Sequence, residues 1–179
     1  MRRILVIGSG GAGKSTFSRR LSDILDIEVV HLDKEHWKSG WVEPPKDVWR
    51  RKVVELVGGN AWIMDGNFSG TLDVRIAACD TVVFLDLPRA LCLWRVLKRV
   101  AKYRGTHRPD MAEGCHEKLD ISFLLWIWNY PSRTRSKVLG LIEEHSRNKR
   151  IVHLRSRAAV EKFLSELAAR ERTGGVRAV

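Results

Sequence analysis

The chain begins Met1-Arg2-Arg3-Ile4-Leu5-Val6-Ile7 and runs without a break into Gly8-Ser9-Gly10-Gly11-Ala12-Gly13-Lys14-Ser15-Thr16. An apolar run of strand length enters a glycine-rich turn, and Phe17, Leu21, Ile24 and Leu25 then fall on one stripe of a helix. Strand, turn and helix in this order constrain the fold strongly. The N–H groups of such a turn point inward, and the helix adds the positive end of its dipole, so the turn is a cradle for a polyphosphate. The residues match G-x-x-x-x-G-K-[ST] in its proper setting. Gly8, Gly10, Gly11, Ala12 and Gly13 form the cradle, with positive φ and no Cβ near the ligand expected at the four glycines. Lys14 is expected to bridge the β- and γ-phosphates, the Ser15 hydroxyl to complete Mg²⁺ coordination, and Thr16 to face the α-phosphate. The cofactors implied are ATP and Mg²⁺.

Further strand-like runs at 27–32, 61–65, 80–86 and 150–155 alternate with helical periodicity. Alternation of this kind predicts a three-layer α/β/α domain with a mostly parallel five-stranded sheet, and ligands beyond the carboxyl ends of its strands. At 179 residues the chain fits one domain, 1–179, with no internal repeat or low-complexity linker. Residues about 33–58 read as a substrate-binding insertion. The polar breakers Arg104-Gly105-Thr106-His107-Arg108-Pro109-Asp110 read as a mobile loop. Helical pattern returns from Glu117 to His145, where Pro131 must kink one helix or start another. The tail after Glu171 is expected to fray.

Three cysteines, Cys79, Cys92 and Cys115, show no C-x-x-C pairing, which favours a reduced, cytoplasmic setting over a disulfide framework. No apolar run approaches a membrane span, so no membrane partner is expected. A net charge of +11 calls for anionic partners, either nucleotides, phosphorylated small molecules or nucleic acid. Arg89, Arg95, Lys98, Arg99, Lys102, Arg104 and Arg108 share a stretch without an acidic residue. That stretch is either a working patch or a solvated helix face.

Two carboxylates close apolar runs. Asp65, after Trp62-Ile63-Met64, has the position of an acid that orders Mg²⁺ through its waters, although an isolated residue there would read as an ordinary strand-end turn. Asp33, at the end of the second run, can orient or deprotonate an attacking hydroxyl. Trp37 and Trp41 follow it, either lining a cleft to stack a planar substrate or packing the loop on the body. Arg95, Arg99 and Lys102 fall on one helical face, with Leu93, Val96, Leu97 and Val100 on the face expected to be buried. Arginines there could neutralise charge on a transferring phosphoryl group. Arg133 and Arg135 form a second such pair that could close with a lid, and Arg75 is a third candidate. Cys115, His116 and His107 are too few and too scattered for structural zinc.

Together these motifs resemble the P-loop kinases of adenylate kinase-like type, and within them bacterial DNA topology modulation (FlaR-like) proteins. The resemblance covers nearly the whole chain. Its marks are Gly8–Thr16, His31-Leu32-Asp33 with Trp37 and Gly40-Trp41, Trp62-Ile63-Met64-Asp65-Gly66-Asn67, and Val83-Phe84-Leu85-Asp86-Leu87-Pro88 followed by Arg95 and Arg99. It implies a P-loop NTPase fold with a small helical lid at about 103–116. It also implies a place for Arg95 near the ATP base, a phosphate contact for Arg99, and a closing role for Arg133 or Arg135. The arginine that grips the acceptor nucleotide in adenylate kinases has no counterpart in Asp65-Gly66-Asn67-Phe68-Ser69. Asp33 is more like the acid of kinases that hold a substrate hydroxyl. The expected activity is Mg²⁺- and ATP-dependent phosphoryl transfer to a small-molecule acceptor: a nucleoside, nucleotide or hydroxylated metabolite. The alternatives are a nucleotide-controlled protein that modulates DNA topology through basic contacts, including Arg147, Lys149, Arg150, Arg155 and Arg157, and a nucleotide hydrolase. No DNA-reading motif is visible, which places the kinase first.

Overall fold

A computed structural model of the protein describes residues 1–106 and 108–174. Among the described residues, five strands form one sheet: β1 (Arg3–Gly8), β2 (Val29–His31), β3 (Trp62–Asp65), β4 (Thr81–Leu85) and β5 (Arg150–Leu154). Their order is β2-β3-β1-β4-β5 and every pairing is parallel. β1 is central, with Val6 opposite Asp65 on one side and Val83 on the other.

The layers follow from the strand period of two. Ile4 and Val6 of β1 join Phe17 and Leu21 of α1 (Lys14–Leu25), Cys92 and Val96 of α5 (Arg89–Lys102), and Leu164 and Leu167 of α8 (Arg157–Gly174). Leu5 and Ile7 point the other way, onto Trp49 and Val53 of α3 (Lys46–Val57), Leu72 and Ile76 of α4 (Leu72–Ala78), and Val138 and Ile142 of α7 (Arg135–Glu144). The chain thus turns to opposite faces after the neighbouring strands β1 and β3. A crevice opens between their carboxyl ends.

Several boundaries differ from the sequence expectation. The second strand stops at His31, because Leu32, fully buried, turns the chain into the one-turn helix α2 (Leu32–His36). Asp33 therefore stands on that helix and not on the strand. Pro131 neither starts nor ends a helix; it lies inside the last turn of α6 (Ile121–Arg133), and the break comes at Thr134. On α5, Cys92 and Val96 are the buried positions and Leu97 is 48% exposed, so Arg95 and Arg99 flank the buried stripe instead of opposing it. The lid expected to be helical is a strap: the described residues within 103–116 form turns, with Gly105 and Gly114 both at φ +74. Left-handed glycines there end helical propagation. α8 continues past Glu171 to Gly174, and the rest of the tail lies outside the described residues. No helix among the described residues is long and apolar enough to cross a membrane.

Candidate active-site cleft

A cleft of 1140 Å³ opens at the carboxyl ends of the strands, lined by the phosphate loop from Gly10 to Thr16 and by Asp33, Asp65, Arg95 and Arg99. The loop is built as its sequence demands, with one difference. Gly8, Gly11 and Gly13 take positive φ but Gly10 does not. Gly10 is small because the Phe123 ring and Ile127 of α6 pack against it. Gly11 carries the strictest requirement: its φ is +75, and a Cβ there would run into the Cys92 carbonyl of α5. Gly13, at φ +94, is the N-cap of α1.

Lys14 Nζ donates to the carbonyls of Gly8 (3.0 Å) and Ser9 (3.1 Å). Burial lowers its pKa, against the opposing pull of the Asp33 and Asp65 charges. Burial likewise raises the pKa of Asp33, with Lys14 and Arg108 pulling the other way. Asp65 is 4% exposed; its Oδ1 is 3.0 Å from His31 Nδ1, and its buried Oδ2 has no hydrogen-bond partner. Burial lowers the His31 pKa, but the hydrogen bond and charge of Asp65 outweigh it, so the net shift is upward. A buried, unpaired carboxylate oxygen on a residue that lines the same cleft as Ser15 suits a metal-bound water. Asp65 and Ser15 thus fit Mg²⁺.

The two α5 arginines differ in their partners. Arg95 Nη1 donates to the Ala12 carbonyl at 3.1 Å, against the loop itself. Arg99 Nε pairs with Glu117 Oε1 at 2.8 Å, and burial lowers its pKa. Glu117 directly follows the strap, and its Oε2 lies 2.9 Å from Arg108 Nε in an ion-pair contact whose N–H is poorly aimed for a hydrogen bond. Arg108 also pairs with Asp110 at 3.3 Å. Burial pushes the Asp110 pKa up, but the Arg108 charge and the Ser15 hydroxyl beside it hold it below the usual carboxylate range. The strap thus reaches the phosphate loop.

Arg133 and Arg135 do not line the cleft. Arg133 is exposed, while Arg135 Nη2 is 2.8 Å from Asp86 Oδ2, which also lies 2.8 Å from His153 Nε2. The acid ending β4 recruited the cation instead. Arg108, with its partners Asp110 and Glu117, is the strap arginine facing the cleft, and the Arg-Pro-Asp sequence within the polar breaker was the available signal. Arg75 is fully buried and donates to the carbonyls of Gly66, Asn67, Phe68 and Thr71, at 2.6 to 3.3 Å. Burial lowers its pKa to about 9, so it stays protonated at neutral pH and clamps the loop after β3. Arg157 and Val160, at the start of α8, also line the cleft.

Trp37 and Trp41 line the cleft, their rings 5.4 Å apart at 67°. Trp41 Nε1 donates to the His116 carbonyl, Gly40 N–H to the Gly114 carbonyl, and Cys115 Sγ to the Lys38 carbonyl, so the strap is fastened to this loop. Cys115 is buried and His116 exposed, while His107 lies outside the described residues. No cluster of three or more His, Cys, Asp or Glu side chains suited to a metal exists among the described residues. Of the basic residues grouped as a nucleic-acid grip, Lys149 Nζ is bound to the Ala77 and Cys79 carbonyls and Arg157 faces the cleft.

The chain matches no protein-family model and no curated protein. In solved structures it is similar to a shikimate kinase from Bacteroides thetaiotaomicron, with a TM-score of 0.51 and 14% identity over 94% of this chain and 97% of that one. A sugar kinase from Janibacter gives a TM-score of 0.47 and 17% identity over 97% of this chain and 93% of that one. At this identity the first likeness shows the fold alone: a three-layer α/β/α domain with a parallel five-stranded sheet.

Proposed function

We propose that the protein transfers the γ-phosphoryl group of ATP to a hydroxyl of a small molecule. The observation that carries this reading is that the phosphate loop, Asp65 and Asp33 line one cleft. The loop N–H groups and Lys14 would hold the phosphates, with Arg95 bracing the loop through Ala12. Ser15 and Asp65 would hold Mg²⁺, which when bound would supply positive charge to offset the charge of the phosphates. Asp33 would orient the acceptor hydroxyl and take its proton as the oxygen attacks phosphorus; the bond to the bridging oxygen breaks and ADP leaves with the electron pair. Burial suits Asp33 to that task, because a carboxylate with a raised pKa is a stronger base. Arg99 and Arg108 would screen the charge spread over the transferred group, and the strap would exclude water.

On this reading the chain works as one domain, with 33–58 as the acceptor-side insertion and the strap at 103–116 as its cover. The finer likeness to adenylate kinase-like and FlaR-like proteins rests on the strand-end motifs and on the spacing of Arg95 and Arg99 from Asp86. The test is incubation with [γ-³²P]ATP and Mg²⁺ together with pooled hydroxylated metabolites. Label in an acid-stable phosphate ester supports the proposal. Release of inorganic phosphate alone contradicts it.

A further inference from the structure

The acceptor end of the cleft has a composition unlike the rest of this basic protein. Trp37, Trp41 and Phe68 line it, together with the carboxylates Asp33 and Glu43. The rings form part of a continuous aromatic wall: Trp37 packs edge-on to His36 at 5.0 Å, and His36 lies 4.4 Å from Phe68. Trp49 closes the wall from behind, 4.6 Å from His36 and 5.2 Å from Phe68.

Two of these rings are held against backbone preference. Trp41 is at φ +65 and Phe68 at φ +24. Large side chains rarely enter that region, and such strain persists only where surrounding contacts impose it. Those contacts are present for both. The Arg75 guanidinium takes the carbonyls of Gly66, Asn67 and Phe68, and the strap holds Trp41 through its indole N–H and through Gly40.

Two cations near this wall are already committed. Arg75 is fully buried and faces carbonyls, and Arg108, held by Glu117 and Asp110, serves the transferred group on the reading above. Lys118 lies 5.8 Å from the Trp41 ring, and Arg19, exposed on α1, donates to the Ser15 carbonyl. The carboxylates Asp33 and Glu43 on the same lining would repel an anionic acceptor.

Resting on the kinase reading above, we infer that the acceptor is a planar heteroaromatic compound carrying a free hydroxyl and no phosphate or carboxylate. Its ring would stack on Trp37, Trp41 and Phe68, and its hydroxyl would be presented to Asp33. Nucleosides and hydroxymethyl-pyridines have this chemistry. Nucleoside monophosphates and hydroxy acids do not.

Matched pairs test it. Adenosine, cytidine, thymidine and pyridoxine are compared with the corresponding 5′-phosphates and with shikimate and gluconate. Two readouts are taken: label transfer from [γ-³²P]ATP, and saturable quenching of tryptophan fluorescence. The inference expects an uncharged member to be labelled. It further expects Trp37→Ala to raise the KM for that compound about tenfold or more, as loss of a stacking ring does, with the affinity for MgATP unchanged. Labelling confined to the phosphates, shikimate or gluconate would overturn it while leaving the kinase reading intact. Saturable binding of an uncharged member without labelling, lost in Trp37→Ala, would support the ligand class and overturn the kinase reading. Neither binding nor labelling of any uncharged member would overturn the inference.

Discussion

The two ends of the cleft are built in different ways. The phosphate end is local: nine consecutive residues, Gly8 to Thr16, set its backbone, and the strand before and helix after fix its direction. The acceptor end is assembled from separate segments: α2 with Trp37 and Trp41, the loop after β3, and the strap. Hydrogen bonds between segments far apart in sequence hold it, such as Cys115 to Lys38 and Trp41 to His116. A site made by local backbone conformation is tied to the stability of β1 and α1. One made by long-range clamps can loosen while the rest of the fold stands.

This contrast can be broken by substitution. The largest effect is expected for Lys14→Ala, which should lower phosphoryl transfer about a thousandfold, at the upper end for loss of one charge-stabilising donor. Isothermal titration with MgATP should show the nucleotide affinity falling with it. Arg75→Met should come next. It strips a buried cation from four carbonyls and should cost about 3 kcal/mol in urea unfolding. In the folded fraction the acceptor KM should rise while MgATP affinity holds. A parallel loss of both affinities would mean the two ends are not separable.

A smaller effect is expected at Gly114, where φ is +74 and a Cβ would meet Ser39. Gly114→Ala should cost about 1–2 kcal/mol locally. Hydrogen exchange should find Gly40 N–H, bonded to the Gly114 carbonyl at 3.2 Å, less protected, with the amides of α1 unchanged. The smallest effect is a pH dependence at His31. Because its folded-state pKa is raised above 6.5, its pairing with Asp65 stabilises the fold fully below 6.5 and less as pH rises through the raised value. The stability gap between wild type and His31→Gln should therefore be wider at pH 5.5 than at pH 8.5. A gap that widens toward alkaline pH would contradict the assignment.

The same contrast explains what was legible in the sequence. β1, the loop and α1 follow from contiguous residues, and the other four strands lie within two residues of their expected limits because their apolar runs are short and bounded by breakers. Asp65 and Asp33 were visible as strand-end acids, although the chain enters α2 before reaching Asp33. The partners of the arginines were not legible. Nothing local says that Arg135 crosses to Asp86, or that Arg108 and Arg99 share Glu117, because ion pairs between distant segments depend on how those segments pack. Arg75 reads from the sequence only as a third candidate cation, and its position one helical turn beyond a strained loop makes it the clamp of that loop.

The most direct test of the account is the single-turnover rate of Asp33→Asn, measured beside its affinity for MgATP. The account expects nucleotide binding within about twofold of wild type and transfer slower by about a hundredfold or more, the range for loss of a positioned general base. Transfer at the wild-type rate would contradict it, since the acceptor hydroxyl would then be activated elsewhere in the cleft.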